Sequence, residues 1–518
     1  MIRRFKLEDW RIIAHYLGVL ILVLAAAMFI PLIISLLMQE FGAFFCFLTS
    51  ISISAVVGTA LMFCHIDKCH MNWRQALVIT GFAWVVLAAF GALPLWFSNY
   101  YIDFLDSFFE SISALTTAGY SMAVDLDHTP YSLITWRVMM NLMGGVGVLV
   151  IAVSLGIFGS GSGVAALYEA EARGDHVLPE VKQTSRFIAK ITAVVVTGGF
   201  VLLLIPMLII GIEPVRAIFN SAWLSMSSFS TSGMAGPSSG LMYFHCWPIE
   251  VFTLLIMLFG VVNFLLYGDL WNGRIRNFFK DIEIRTLFIW ISAMMLAMAI
   301  VLVTSSYFTD LGSLIRRGLY LIVSATANTG LMTLYPGQIL YSMSSGALFI
   351  VVVAMAVGGS ASSTTGGIKA LRLGIIVKTF FQIIRSALAP ERAMPRTFFY
   401  HQGKKLLTSS VSSSAMLILL LYLVTFVIGA LVGIAYGYDP LPSIFESVGA
   451  TSNAGVSAGI ISVGMPDGLE IVYMVQMWFG RLEFIALIAM FIQIFVSIVP
   501  KRKRRKSKNK PKVAVPEI

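Results

Sequence analysis

The chain has 518 residues, 58% of them hydrophobic and only 12% charged, with a mean hydropathy of +0.86. Soluble chains carry roughly 25% charged residues, and half that share cannot coat a water-soluble fold of this length. Scarcity of charge also excludes disorder, four cysteines exclude a disulfide-built secreted domain, and a polytopic membrane protein is the class that remains.

In chain order, apolar stretches long enough to span occur at about 14–38, 42–63, 76–98, 133–158, 187–211, 247–269, 286–306, 341–385 (long and interrupted), 411–436 and 469–499. Each approaches or exceeds the ~20 residues a helix needs to cross ~30 Å of hydrocarbon, so ten crossings are predicted. Arg3-Arg4 resembles a twin-arginine signal, but the stretch after it exceeds a signal peptide's ~7–15-residue apolar core and lacks a small-residue cleavage site. It reads as an uncleaved span.

Lysine and arginine set the orientation. With the N-terminus inside, 31 of the 36 fall in cytoplasmic segments, four outside (Arg137, Arg216, Arg316, Arg317), and Arg481 within the last span. Thirteen acids lie outside or near the outer surface: Glu40, Asp103, Asp106, Glu110, Asp125, Asp127, Glu213, Glu250, Asp310, Asp439, Glu446, Asp467 and Glu470. That excess makes the outer mouth attractive to cations, and both termini are expected in the cytoplasm.

Between alternate spans, on the outer side, four segments end alike: FFESISALTTAGYS (108–121), AWLSMSSFSTSGMA (222–235), LYLIVSATANTGLM (319–332) and FESVGATSNAGVSA (445–458). They align on Gly119, Gly233, Gly330 and Gly455. Thr117, Thr231, Asn328 or Asn453 lies two residues before the glycine, and Phe109, Trp223, Tyr320 or Phe445 ten before it. The repeating unit of about one hundred residues is span, short re-entrant helix, polar strand, span. Non-helical backbone at membrane depth is tolerated only where it is buried in protein or lines a water-filled cavity. Four such strands around one axis offer rings of carbonyl oxygens that replace the water shell of an alkali cation. Glycine admits the backbone angles that aim carbonyls inward. A single Gly-Ser-Thr segment would be a plain extracellular turn; four in register argue against that reading.

At this point the sequence resembles the membrane subunits of Trk/Ktr/HKT-type potassium transporters, in the TrkH-like branch, over roughly residues 76–500. The resemblance rests on Trp136-Arg137 with Gly144-Gly145-Val146-Gly147, Tyr168-Glu169-Ala170-Glu171, Leu178-Pro179, and Asn263-Phe264 before Lys280-Asp281-Ile282-Glu283-Ile284-Arg285. It rests equally on Gly358-Gly359-Ser360 leading to Ser363-Thr364-Thr365-Gly366-Gly367-Ile368-Lys369, and on Gly480-Arg481-Leu482-Glu483. It implies an all-α polytopic protein in which two N-terminal helices precede four pseudo-fourfold helix–pore-loop–helix repeats around an ion pore. The K⁺ filter would comprise Thr117, Ala118, Gly119, Thr231, Ser232, Gly233, Asn328, Thr329, Gly330, Asn453, Ala454 and Gly455. The resemblance further implies a homodimer in the bacterial inner membrane, regulated by a TrkA-like cytosolic nucleotide-binding ring protein, with K⁺ as the transported ion and no bound cofactor. The expected divisions are 1–75 (helix pair), 76–158, 187–270, 286–388 and 411–500 (repeats) and 501–518 (basic tail). Ala118 and Tyr120, and Asn453-Ala454, depart from the family's filter lettering.

The segment Val357–Lys369, VGGSASSTTGGIK, cannot continue a stable lipid-facing helix. It reads as an intramembrane gate beneath the filter, with Gly358, Gly359, Gly366 and Gly367 supplying mobility and no obvious partner locking it. The alternative is a simple loop, with Lys369 and Arg372 at a cytoplasmic end. A P-loop is not supported, since Ile368 separates Gly367 from Lys369 and no strand precedes. Arg481, the one cation deep in a span, faces a cavity or a partner. Glu483 sits about 200° around the helix and is no same-face partner. The two readings are an electrostatic obstacle below the filter, or a packing ion pair with Glu446 or Glu110. Glu110 and Glu446 occupy one repeat position, either adding negative potential at the cation site or capping or pairing at the outer surface.

Other signals are weaker. Gly236–Gly240 matches a G-x-S-x-G elbow without its strand–turn–helix context. Cys64-His65 and Cys69-His70 lack standard zinc spacing. The tail Lys501–Lys512, nine basic residues of twelve, directly follows a span and reads as an anchor on anionic headgroups rather than a nucleic-acid site. A gated K⁺-selective pore is the expected function. The alternative is a Na⁺-permeable or ion-coupled secondary transporter (a symporter), which would show two-fold inverted repeats. No nucleophile–base set supports an enzyme.

Overall fold

A computed structural model describes residues 4–64, 71–147, 181–305, 310–390 and 396–498. α1 (Leu7–Ala27) continues after Met28 as α2 (Phe29–Leu37), and α3 (Phe41–Met62) returns beside them. A Cβ on Gly18 would stand 2.6 Å from the Gly58 carbonyl oxygen. Such close backbones let helices associate in lipid, where no hydrophobic drive separates helix from solvent.

One helix order then recurs four times. It runs through α4 (Trp73–Phe97), α5 (Phe104–Thr116) and α6 (Tyr131–Val146), then α7 (Val181–Ile209), α8 (Pro214–Ser230) and α9 (Trp247–Val261). The third passage is α10 (Ile282–Thr304), α11 (Tyr320–Thr326) and α12 (Ser345–Ala356). After α13 (Ala370–Leu388) and the antiparallel hairpin β1 (Phe398–Tyr400)–β2 (Lys404–Leu406), the fourth is α14 (Ser409–Ala435), α15 (Pro440–Ser452) and α16 (Asp467–Arg481), with α17 (Ile485–Ile498) last. Each time a short helix, α5, α8, α11 or α15, sits buried behind longer ones. The aromatics ten before the glycines, Phe109, Trp223, Tyr320 and Phe445, are all at most 4% exposed. The longer helices turn apolar faces outward. On α14, Leu417, Leu420, Leu423, Val424, Val427, Ile428 and Leu431 are exposed, while Ala415, Ile418, Tyr422 and Gly429 face in. A helix with an exposed face this apolar is solvated by lipid.

The ten apolar stretches do not become ten straight spans. Among the described residues, six helical stretches are long and apolar enough to cross alone, or seven if a bent pair counts as one. The third helix of every passage breaks early: α6 at Gly147, α9 at Val262, α12 at Val357 and α16 at Leu482. The stretch 469–499 is α16 and α17 meeting at a 109° bend, with Glu483 and Phe484 in left-handed conformation (φ 54° and 65°). Arg481 therefore ends a helix instead of lying within one, and the helical-wheel argument separating it from Glu483 does not apply. Hydropathy missed these breaks because Val262, Leu482 and Phe484 are as apolar as the helices they interrupt. The Tyr168–Glu171 and Leu178-Pro179 motifs, His65, Cys69, His70 and the 501–518 tail lie outside the described residues.

Candidate functional site

The four short helices end in the same way. Ala118, Ser232, Thr329 and Ala454 donate their N–H to the carbonyls of Ser113, Ser227, Ser324 and Gly449, five residues back, at 2.8–3.1 Å. Thr117, Thr231, Asn328 and Asn453 donate three residues back, at 3.1–3.3 Å. This pair of bonds is a Schellman cap, which needs a left-handed residue. Here Thr117, Thr231, Asn328 and Asn453 take that conformation, at φ 61°, 51°, 49° and 51°. The repeat position that carries only Thr or Asn is thus the residue that turns each chain out of its helix.

Two residues on, Gly119, Gly233, Gly330 and Gly455 also have positive φ (83°, 75°, 81° and 67°). A Cβ on Gly119 would press on the Ser232 carbonyl oxygen, and one on Gly233 on that of Thr329. On Gly330 it would stand 3.0 Å from the Ala454 oxygen, and on Gly455 2.7 Å from the Ala118 oxygen. Each glycine faces the carbonyl that precedes the next glycine, and the sequence of contacts closes on itself. The four glycines therefore surround one centre, around which four helix C-termini end, each with partial negative charge. On one side of it a cavity of about 160 Å³ is lined by all four glycines together with Ser121, Met234, Leu331 and Tyr335.

On the other side of that centre lies the 357–369 segment. Every residue two before a glycine touches it or Arg481. Thr231 Oγ1 lies 3.0 Å from Thr364 Oγ1. Asn328 Oδ1 lies 2.5 Å from where a Cβ on Gly358 would stand, while its amide donates to the Met355 carbonyl of α12 at 2.8 Å, and Asn453 Cβ packs where a Cβ on Gly366 would stand, 2.9 Å away. Thr117 Oγ1 accepts from Arg481 at 3.2 Å. The expectation that nothing locks this loop is corrected. Thr364 Oγ1 bonds the Phe229 and Gly260 carbonyls at 3.0 Å, Ser360 N donates to Val261 O at 3.0 Å, and Phe264 N to Ser362 O at 2.9 Å. Val357 and Ile368 form a parallel bridge. Tyr422 OH donates to the carbonyls of Gly367 and Gly480 at 3.0 and 3.1 Å, and Glu283 accepts from Ala361 N at 2.8 Å. Unwound polar backbone inside a membrane must find partners, and the neighbouring helix ends supply them. Lys369, weighed as a cytoplasmic end, is only 6% exposed and donates to the Thr365 carbonyl. Arg372 pairs with Glu483.

Arg481 donates to the carbonyls of Thr364 at 2.7 Å and Gly145 at 3.1 Å, and also to that of Gly144. Its guanidinium lies 5.6 Å from the Trp84 ring centre. Both candidate carboxylates are engaged elsewhere. Glu110 is engaged by Arg137, whose Nε donates at 2.6 Å, and by Met122 N at 2.7 Å. Arg137, counted among outer charges, is 1% exposed. Glu446 accepts from Ser457 Oγ at 2.7 Å, Ala458 N at 2.8 Å and Ile460 N at 3.2 Å. Both glutamates are fully buried and tie the strand after the glycine to the short helix before it, so neither caps the outer surface. Of the other outer acids, Glu40 caps α6 through Tyr131 N at 2.6 Å and Ser132 N at 3.1 Å, and Glu250 pairs with Arg316 at 2.6 Å.

Sequence reasoning missed Thr364 as an anchor, Tyr422 and Glu283. A tyrosine hydroxyl in the largely apolar Leu417–Leu431 run, and a glutamate in the first turn of a span, were the available signals. It also left unexplained why Gly144, Gly260 and Gly480 stand where they do. A Cβ on each would strike the Leu115, Phe229 or Thr451 carbonyl, each of them four residues before a glycine of the ring, so these glycines let the third helix of three passages press on the short one.

A family model described as TrkH, cation transport protein, matches residues 43–497. An uncharacterised cation transporter of Methanocaldococcus jannaschii is 29% identical over 495 residues, covering 95% of this chain and 97% of its own length. The Trk system potassium uptake protein TrkH of Escherichia coli K12 is 25% identical over 502 residues, covering 94% and 99%. The crystal structure of the potassium transporter TrkH from Vibrio parahaemolyticus superposes with a TM-score of 0.81 at 24% identity, over 94% of this chain and 99% of that one. The match extends over both the ring of glycines and the loop beneath it, and this multi-pass membrane chain belongs to the TrkH family of cation transport proteins.

Proposed function

We propose that the chain is the pore-forming membrane subunit of a potassium uptake system, with four pseudo-fourfold repeats, 76–158, 187–270, 286–388 and 411–500, around one conduction path. The observation that carries this reading is the closed cycle in which each glycine faces the carbonyl preceding the next. Backbone oxygens held at that spacing replace a dehydrated cation's water shell, and only residues without a Cβ allow it. In this reading Thr117, Ala118 and Gly119, with their counterparts at 231–233, 328–330 and 453–455, form the filter. The 357–369 loop and Arg481 form the gate, and the approximately 160 Å³ cavity is the outer approach.

The names of the relatives support K⁺ as cargo. The lysine and arginine bias supports cytoplasmic termini in a bacterial inner membrane, and the family resemblance supports a homodimer with a TrkA-like regulator. Four like-oriented helix ends favour a pore over two-fold inverted repeats. The decisive experiment is flux into proteoliposomes in K⁺, Rb⁺ and Na⁺, with Gly119→Ser alongside. A K⁺-over-Na⁺ preference that the substitution erodes supports the filter. Equal Na⁺ flux in the unaltered protein makes it a Na⁺-permeable conduit, and strict dependence on a proton or Na⁺ gradient makes it a coupled transporter.

A further inference from the structure

Away from the ring, α10, α13 and the β1–β2 hairpin enclose a crevice of about 740 Å³. Its walls are apolar: Ile282, Ile289 and Trp290 from α10, Leu373 and Val377 from α13, and Phe398 and Phe399 from the hairpin. Its charged lining is of one sign. Lys280, Arg285, Lys378 and Lys404 contribute to it, and among the described residues no aspartate or glutamate does. The cations are held toward the crevice by the hairpin and helix ends. Lys378 Nζ donates to the Phe398 carbonyl at 3.0 Å, Lys404 Nζ stands 4.4 Å from the Phe398 ring centre, and Arg285 Nε donates to Phe279 O at 2.9 Å. The hairpin is itself fastened to α10, through Gln402 N to Asp281 Oδ2 at 3.2 Å and His401 Nδ1 to the same carboxylate at 3.4 Å.

Four cations bordering an apolar slot call for a ligand with an anionic head and an apolar body. The lysine and arginine bias sets this end of α10 at the cytoplasmic face, where such molecules are phospholipids of the inner leaflet. Ile289, Val377 and Phe398, each more than 40% exposed, open the slot toward that leaflet. We propose that this crevice binds one anionic phospholipid, with its phosphate among the four cations and an acyl chain along Ile289, Trp290 and Val377. Both walls hold the loop beneath the ring. α13 begins where the loop ends, with Ala370 N donating to Gly359 O at 2.9 Å, and Glu283 of α10 accepts from Ala361 N. An occupant therefore sits between the two elements that fix the loop. The proposal stands apart from the assignment of the filter, because it concerns binding and not flux.

Native mass spectrometry of the purified full chain, titrated with phosphatidylglycerol or phosphatidylcholine, reads occupancy directly. Phosphatidylglycerol is expected to bind the unaltered chain, and Lys280→Gln with Lys404→Gln to weaken it at least roughly tenfold, since each basic residue near a membrane surface contributes separately. Val377→Glu, at an exposed wall position, sets a like charge against the phosphate and is expected to abolish the adduct. Thermal unfolding checks that each variant is folded. Equal binding of phosphatidylcholine, or undiminished phosphatidylglycerol binding in both folded variants, overturns the proposal. Displacement of the lipid by millimolar inorganic phosphate, with no gain from dihexanoyl to dioleoyl chains, shows a free-anion site and overturns the lipid assignment.

Discussion

Replacing Arg481 by alanine separates the two roles that its position allows. The guanidinium bonds Thr117 Oγ1 at 3.2 Å, at the turn into the strand that carries Gly119, and the Thr364 carbonyl at 2.7 Å, in the loop. Two unit charges about 7 Å apart repel by roughly 2.4 kcal/mol at an effective dielectric constant of ~20, which sets the scale for a cation at the ring. Removing the charge should then raise K⁺ flux by ~50-fold at the 1.4 kcal/mol-per-decade scale. Arg481→Lys keeps the charge, and a point-like ammonium cannot reach the carbonyls of Thr364, Gly144 and Gly145 together. It is expected to raise flux far less while lowering stability. The alanine variant loses stability as well, since each buried carbonyl left unmet costs about 1–3 kcal/mol. The measurement is ⁸⁶Rb⁺ uptake per folded molecule in proteoliposomes, with the folded fraction taken from size-exclusion chromatography. A lower melting temperature in both variants, with no increase in uptake per folded molecule for alanine, would refute the obstacle reading and leave Arg481 as a structural tie.

Gly119→Ser and Gly330→Ser should both lower the K⁺/Na⁺ permeability ratio, by about tenfold for each ~1.4 kcal/mol of differential ion binding lost. An unchanged ratio in both folded variants defeats the ring assignment. Thr364→Val keeps the side chain's shape but removes its bonds to Phe229 O, Gly260 O and Thr231; higher flux with K⁺ preference intact is expected, and identical flux would make the loop a connector. Deleting three or four residues within 357–369 should act in the same direction and more strongly. Glu110→Gln leaves Arg137 charged and buried, which costs roughly 3–5 kcal/mol. Glu446→Gln leaves backbone and serine donors instead of a buried cation, so thermal unfolding should show the first variant much the weaker of the two.

Composition determined that the chain lives in a bilayer, because 12% charged residues cannot clothe a soluble surface. Spacing determined the repeat: Thr or Asn two residues before a glycine, four times, is a local signal, and a left-handed cap followed by a positive-φ glycine is a local conformation. What spacing cannot carry is partnership between residues on different elements. Arg481 read as a residue in mid-span because Leu482 and Phe484 are apolar, and hydropathy does not register the left-handed turn at 483–484. Glu110 belongs to Arg137 and Glu483 to Arg372, pairings settled only when α5 meets α6 and α13 meets the α16–α17 bend. The 357–369 loop looked unrestrained because its glycine and hydroxyl content is that of a mobile segment. Folding sets it against the broken ends of α9 and α16 and against Tyr422 of α14, which supply the hydrogen bonds its own sequence lacks. Glycine identity fixed where the backbone could turn; tertiary packing decided which carbonyl each glycine would face, since that carbonyl comes from a neighbouring repeat, 96 to 124 residues away for three glycines and 337 for Gly455.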